Sequence, residues 1–167
     1  MLQSIALVIF PLLMAYAAFS DLFTMRIANW LIGLLVAGFL ALALIAGVDW
    51  RDIGMHAAAG GLVLMLAFAF FVFNWIGGGD AKLVAATGLW LGFGLLLPYL
   101  IYAALLGGAL TLAIVALRRF PLWPPLAKVK WIDRLHDAKS GVPYGIALAI
   151  AGLLVYPETE VFQHFLA

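Results

Sequence analysis

The stretch Lys82–Leu117, KLVAATGLWLGFGLLLPYLIYAALLGGALTLAIVAL, runs for 36 residues with no charged side chain after its first. A membrane-spanning helix needs roughly 20 apolar residues, with a working range of about 17–25. The stretch is therefore too long for one crossing and holds two. Helix-breaking residues gather at Gly92-Phe93-Gly94, with Pro98 slightly later, so the break belongs at one of these places. The number of crossings, and with it the side that each loop faces, turns on this reading.

Working outward, four more apolar segments stand at Leu2–Phe19, Trp30–Val48, His56–Trp75 and Val142–Tyr156. The last is short and opens on Gly141 and Pro143, as a tilted or thin crossing would. Of the 167 residues, 67% are hydrophobic and only 10% charged, against about 25% charged in soluble domains. Too few polar side chains remain to cover a globule in water. The expectation is an all-α integral membrane protein, one domain over residues 1–167, built as a bundle of about six transmembrane helices. Ile5 to Met14 followed by Ala15-Tyr16-Ala17 has the outline of a signal peptide, but Met1 to Ser4 carries no Lys or Arg. The first helix is expected to be retained.

Charge placement follows the six-helix count. Loop one (Ser20–Asn29) holds Arg26, and loop three (Ile76–Lys82) holds Lys82. Loop five (Arg118–Ser140) holds Arg118, Arg119, Lys128, Lys130, Arg134 and Lys139. Loop two holds Arg51 alone, so eight of the nine basic residues lie in odd-numbered loops. The positive-inside rule then puts the odd loops in the cytoplasm and both termini outside. In loop five, Pro121, Pro124 and Pro125 are followed by apolar Leu126, Val129, Ile132 and Leu135 with charges between them. That pattern predicts an amphipathic helix on the inner membrane face, its cations among lipid headgroups.

Several classes of chemistry drop out. There is no cysteine, which excludes disulfides and thiol nucleophiles. His56, His136 and His164 lack metal-ligand spacing, so neither a metal nor another cofactor is expected. A net charge of +1 gives no ground for nucleic-acid binding. The oligomeric state is left open.

Two carboxylates remain. Asp21 ends the first apolar segment, and Asp80 closes the run Gly77-Gly78-Gly79-Asp80. An ionisable group at a membrane boundary is costly unless it meets water, a partner or a substrate. The predicted topology puts both at the cytoplasmic face. Two carboxylates brought together cannot both ionise cheaply and hold one proton between them. The ionised member takes a proton from water while the protonated one polarises a peptide carbonyl. The plainer alternative is that each caps a helix end, Asp80 at the start of the fourth segment. Gly77, Gly78 and Gly79 permit positive φ and close approach of another backbone, such as an extended substrate; equally, they suit a flexible turn or tight helix packing. Arg26 and Lys82 are candidates to bias the dyad or contact substrate, with snorkelling the ordinary explanation for Lys82. Asp133 and Asp137, spaced i,i+4, either attract a basic segment or form a solvated face. Gly88 and Gly92 form a small-xxx-small pair expected to pack inside the bundle.

Ser20-Asp21, Arg26-Ile27-Ala28-Asn29, Gly77-Gly78-Gly79-Asp80-Ala81-Lys82-Leu83 and Val142-Pro143-Tyr144-Gly145 together resemble the type IV prepilin peptidases. The likeness is greatest to the short, cysteine-free members that serve Flp/Tad pili, and it spans essentially the whole chain. The resemblance implies an aspartic endopeptidase, with Asp21 and Asp80 catalytic, acting on a prepilin at the cytoplasmic membrane face. The substrate it implies has a short basic leader, cut after a glycine and before a hydrophobic helix. Ala28 departs from the Pro that the family often carries. Longer relatives add a segment with paired cysteines and also N-methylate the product; no such segment stands in this sequence, so methylation is not supported. Two other classes stand beside this reading: a small ion-coupled transporter, and a non-catalytic subunit of a pilus or secretion machine. The first would need polar groups along the helix interiors, which are nearly free of charge. The second gives no reason for two aspartates on one face.

Overall fold

The computed structural model describes residues 2–166, with side chains from Ala6 onward. The long helices are α1 (Leu2–Thr24), α2 (Asn29–Ile45), α3 (Trp50–Val72) and α4 (Gly78–Leu117). Two short helices, α5 (Pro124–Ala127) and α6 (Lys130–His136), precede α7 (Gly145–Val155) and α8 (Glu160–Leu166), the last two joined by a 3₁₀ turn. The protein is all-α, as expected. Three helices (α1 from Ala6, α3 and α4) are long and apolar enough to cross a membrane, and the bent pair Gly145–Glu158 and Glu160–Leu166 makes a fourth. Helix α2 is apolar but shorter.

The decisive stretch breaks at the first of its expected places. Gly92 has φ 63° and ψ −177°, a backbone conformation outside any helix and essentially restricted to glycine. A side chain there would also meet the His56 ring at 2.9 Å. At this residue the chain doubles back. Leu100 and Ala103 share a groove with Asp80 and Val84, whereas Val84 and Leu100 would lie about 24 Å apart along a continuous helix. Helix α4 is thus two limbs, 78–91 inbound and 93–117 outbound, and Pro98 sits within the second without ending it. His56 closes the break, its Nδ1–H donating to the Leu89 carbonyl at 2.8 Å.

Between helices in lipid there is little hydrophobic drive, so close packing of small residues carries association. Gly88 lies against Val63 and Gly60 of α3, the intrabundle packing expected of it, whereas Gly92, the other member of that pair, forms the break and meets the His56 ring. A fully buried aromatic cluster joins four elements: Phe10 and Tyr156 stack at 4.6 Å, and Trp90 packs on both Phe10 and Phe39. The Trp90 indole N–H donates to the Leu35 carbonyl at 2.9 Å, which satisfies it deep in the core.

Loops one, three and five gather at one end of the bundle. Gly79 abuts Ile27, and the Arg134 guanidinium donates to the Phe23 carbonyl at 3.1 Å. Arg118 fastens the start of loop five to its end, donating to Leu135, Ser140 and Gly141 carbonyls. Asp52, His56, Gly92, Glu158 and Glu160 line a separate cavity, at the end where loops two and four lie.

Several boundaries differ from expectation. Helix α1 continues past Phe19 to Thr24, so Asp21 lies within its last turn instead of beyond it. Helix α3 starts earlier, at Trp50, because Asp49 caps it by accepting the Arg51 N–H at 2.9 Å. The amphipathic helix of loop five is split into α5 and α6, with extended backbone at Val129.

Candidate active site

Asp21 and Asp80 line one cavity of about 260 Å³, together with Met25, Arg26, Ile27 and Gly77–Gly79. Helix packing brings together residues far apart in the chain, on the end that carries loops one and three.

Local chemistry places each wall. Met25, with φ 52°, turns the chain out of α1 while its N–H still donates to the Asp21 carbonyl at 2.8 Å. The Ser20 hydroxyl then donates to the Arg26 carbonyl at 2.8 Å, folding loop one back over the helix end. This sets Arg26 and Ile27 beside Asp21. The Asp21 side chain is only 5% exposed, and its Oδ2 accepts the Gly145 N–H at 2.7 Å. That bond uses a donor that the start of α7 leaves without a helical partner. A Cβ on Gly145 would stand 2.8 Å from the same oxygen, so the approach depends on glycine.

Asp80 sits in the first turn of α4, with Gly77 as the N-cap. Its carboxylate turns back on the Gly77 backbone, where a Cβ would lie 2.9 Å from Oδ2. The helix-end reading of Asp80 and its place in the cavity therefore both hold. The glycine run is used for proximity alone: Gly77 has φ −71°, and the positive-φ glycines among the described residues are Gly47 and Gly92. What approaches Gly79 is this chain's own Ile27, with 3.2 Å left between its Cβ and one built on the glycine.

Of the residues singled out in the sequence, Asp21, Arg26, Gly77, Gly78, Gly79 and Asp80 come together. Lys82 does not join them. Two residues on from Asp80 it points roughly 200° away around the helix, and its ammonium donates to Asn29 Oδ1 at 2.8 Å. It is neither free at the headgroups nor part of the Asp21–Asp80 cavity; it ties the end of loop one to α4.

Tyr144 and Gly145 were not singled out as site residues, although their run stands in the sequence at the start of the last segment. Gly145 holds Asp21, and Tyr144 lines the far side of Asp80. The Tyr144 hydroxyl donates to the Ala103 carbonyl at 3.3 Å, and its ring occupies the space that a side chain at Gly107 would need. Deeper, the fully buried Tyr99 hydroxyl has no hydrogen-bond partner among the described residues. Among those residues, no three His, Asp or Glu side chains gather in a way that could hold a metal ion.

A profile of the type IV leader peptidase family matches residues 8–112, a span that includes both aspartates. The chain is 27% identical over 149 residues to the prepilin leader peptidase/N-methyltransferase of Bacillus subtilis (strain 168), covering 89% of this chain and 54% of that protein. It thus spans about half the length of the curated relative it matches. No solved structure matches it.

Proposed function

The chain belongs to the type IV leader peptidase family, and we propose that it removes the basic leader from a prepilin of the Flp/Tad type, using Asp21 and Asp80 as an aspartic dyad. The observation that carries this reading is the shared cavity: two carboxylates separated by 59 positions in sequence line one small pocket at the end of the bundle where the basic loops lie.

With one proton shared, the ionised carboxylate accepts a proton from a water, whose oxygen attacks the scissile carbonyl. The protonated carboxyl donates to the carbonyl oxygen, and collapse of the tetrahedral adduct passes a proton to the leaving amine. The Gly145 N–H fixes Asp21 in place for this exchange. Arg26, at the cavity wall, holds substrate carbonyl oxygens, and Gly77–Gly79 leave room for an extended peptide backbone. Lys82 acts at one remove, holding loop one through Asn29. The limbs α1, α2, α3, the two halves of α4, and the bent pair that α7 forms with α8 each cross the inner membrane, with both termini outside and the cavity at the cytoplasmic face. The bias of basic residues supports that orientation.

Co-expression with a full-length Flp-type prepilin tests the proposal by the loss of the leader on a gel. Asp21→Asn and Asp80→Asn should each abolish the shift while the protein still inserts. Cleavage that persists in either variant rules out the dyad.

A further inference from the structure

Two apolar grooves flank the pair formed by α3 and the inbound limb of α4. One is headed by Lys82 and lined by Ile32, Val36, Ala57, Gly60 and Ala85. The other is headed by Asp80 and lined by Val63, Ala67, Val84, Leu100, Ala103 and Leu148, with Tyr144 beside Asp80. They are nearly equal in size, at about 250 and 260 Å³. We propose that the Asp80 groove, and not the Lys82 groove, seats the apolar helix that follows the scissile bond of the prepilin, entered sideways from the lipid.

Continuity is the first reason. Asp80 is the one residue common to this groove and to the cavity that holds Asp21. A chain lying along both passes over the dyad at the point where its polar part meets its apolar part. The Lys82 groove shares no lining residue with that cavity.

Charge is the second. A substrate whose apolar helix is preceded by basic residues meets a carboxylate at the head of one groove and an ammonium at the head of the other. Attraction and repulsion of this kind fix the register of a bound chain.

Shape is the third. The hollow exists because Ala67 and Ala103, both buried, present only methyl groups to it. Small residues let another helix come close in a bilayer. The rim residues Leu66 and Phe70 are about half exposed and face outward, leaving a lateral way in. The groove extends about one turn below Asp80, to Val84, which suits one or two large side chains from a helix face.

The inference rests on the prepilin reading, and the absence of cysteine makes it directly testable. Single cysteines are placed at Ala67 or Ala103 and, for comparison, at Ala57 or Ala85, in Asp21→Asn protein that retains the bound substrate. Each is oxidised in membranes with a full-length prepilin carrying one cysteine in the first two turns of its apolar helix. Disulfides should form from positions 67 and 103 and not from 57 and 85. In otherwise native protein, Ala67→Phe and Ala103→Phe should each raise KM for the prepilin at least tenfold with kcat little changed. Thermal melting identifies a variant that fails to fold, and the cross-links then decide. Bridges from 57 or 85, or an unchanged KM in folded Ala103→Phe protein, overturn the groove assignment; the latter outcome leaves a lipid acyl chain as its occupant. If wild-type protein cleaves the prepilin but no bridge forms at 67 or 103, the groove alone is wrong. Absence of cleavage by the wild type instead defeats the prepilin reading.

Discussion

The grooves under Asp80 and Lys82 are near twins in size and in their aliphatic lining, and they lie on opposite faces of one helix limb. What separates them is a two-residue offset at the head. On a helix, two positions make the difference between facing the Asp21 cavity and facing Asn29 of loop one. An apolar hollow in a membrane protein is thus uninformative by itself. Its meaning comes from the polar group at its mouth and from what lies on the other side of that group.

The sharpest way to break the comparison is to neutralise both heads. Asp80→Asn should lower leader removal by at least about a hundredfold, the range of a lost acid–base group. Lys82→Met should cost only the hydrogen bond to Asn29, about 1 kcal/mol of stability, and a severalfold loss of rate through a looser loop one. Equal losses of prepilin cleavage in the two variants would erase the distinction.

Next in size is Gly145→Ala. The added methyl would stand 2.8 Å from Asp21 Oδ2, so the carboxylate must shift. A displacement near 1 Å costs on the order of a hundredfold in rate. The measurement is kcat for prepilin cleavage alongside thermal melting: the rate should collapse while most of the folded fraction survives.

Gly92→Ala acts on the Asp80 groove, which alone of the two takes lining residues, Leu100 and Ala103, from the outbound limb. A residue other than glycine at φ 63°, ψ −177° costs roughly 1–3 kcal/mol, before its contact with the His56 ring is counted. The melting temperature in detergent should fall by several degrees, and the yield of inserted protein with it.

Smallest is Tyr99→Phe, which sharpens the comparison from below. Among the described residues its buried hydroxyl has no partner, a condition that costs about 1–3 kcal/mol. Its removal should raise the melting temperature slightly. A fall in prepilin cleavage in the same variant would instead tie this phenol to Asp80.

How much of this was legible beforehand follows from the kind of signal each part carries. The length of Lys82–Leu117 demanded a break, and Gly92-Phe93-Gly94 and Pro98 narrowed it to two places, of which the structure takes the first. The two aspartates stood out because ionisable groups are scarce and costly in so apolar a chain. Lys82 and Gly145 were not legible in the same way. Which way each faces depends on rotation about its own helix axis, α4 for Lys82 and α7 for Gly145, and that rotation is fixed by packing against the neighbouring helices. The positive φ allowed to the 77–79 run went unused, since those glycines serve close approach, Gly77 to Asp80, Gly78 to Phe71 and Gly79 to Ile27.

Composition and spacing by themselves determined an all-helical chain for lipid, the need for a reversal between residues 92 and 98, and a pair of carboxylates at one end. These follow from solvation: apolar length, helix breaks and rare charges each have an energy that does not depend on neighbours. Only the tertiary structure decided that Gly145 would grip Asp21, that Lys82 would turn to Asn29, and that one of two similar grooves would adjoin the cavity lined by Asp21 and Asp80. Those are matters of which helix faces meet, and contacts between distant residues are set when the bundle closes.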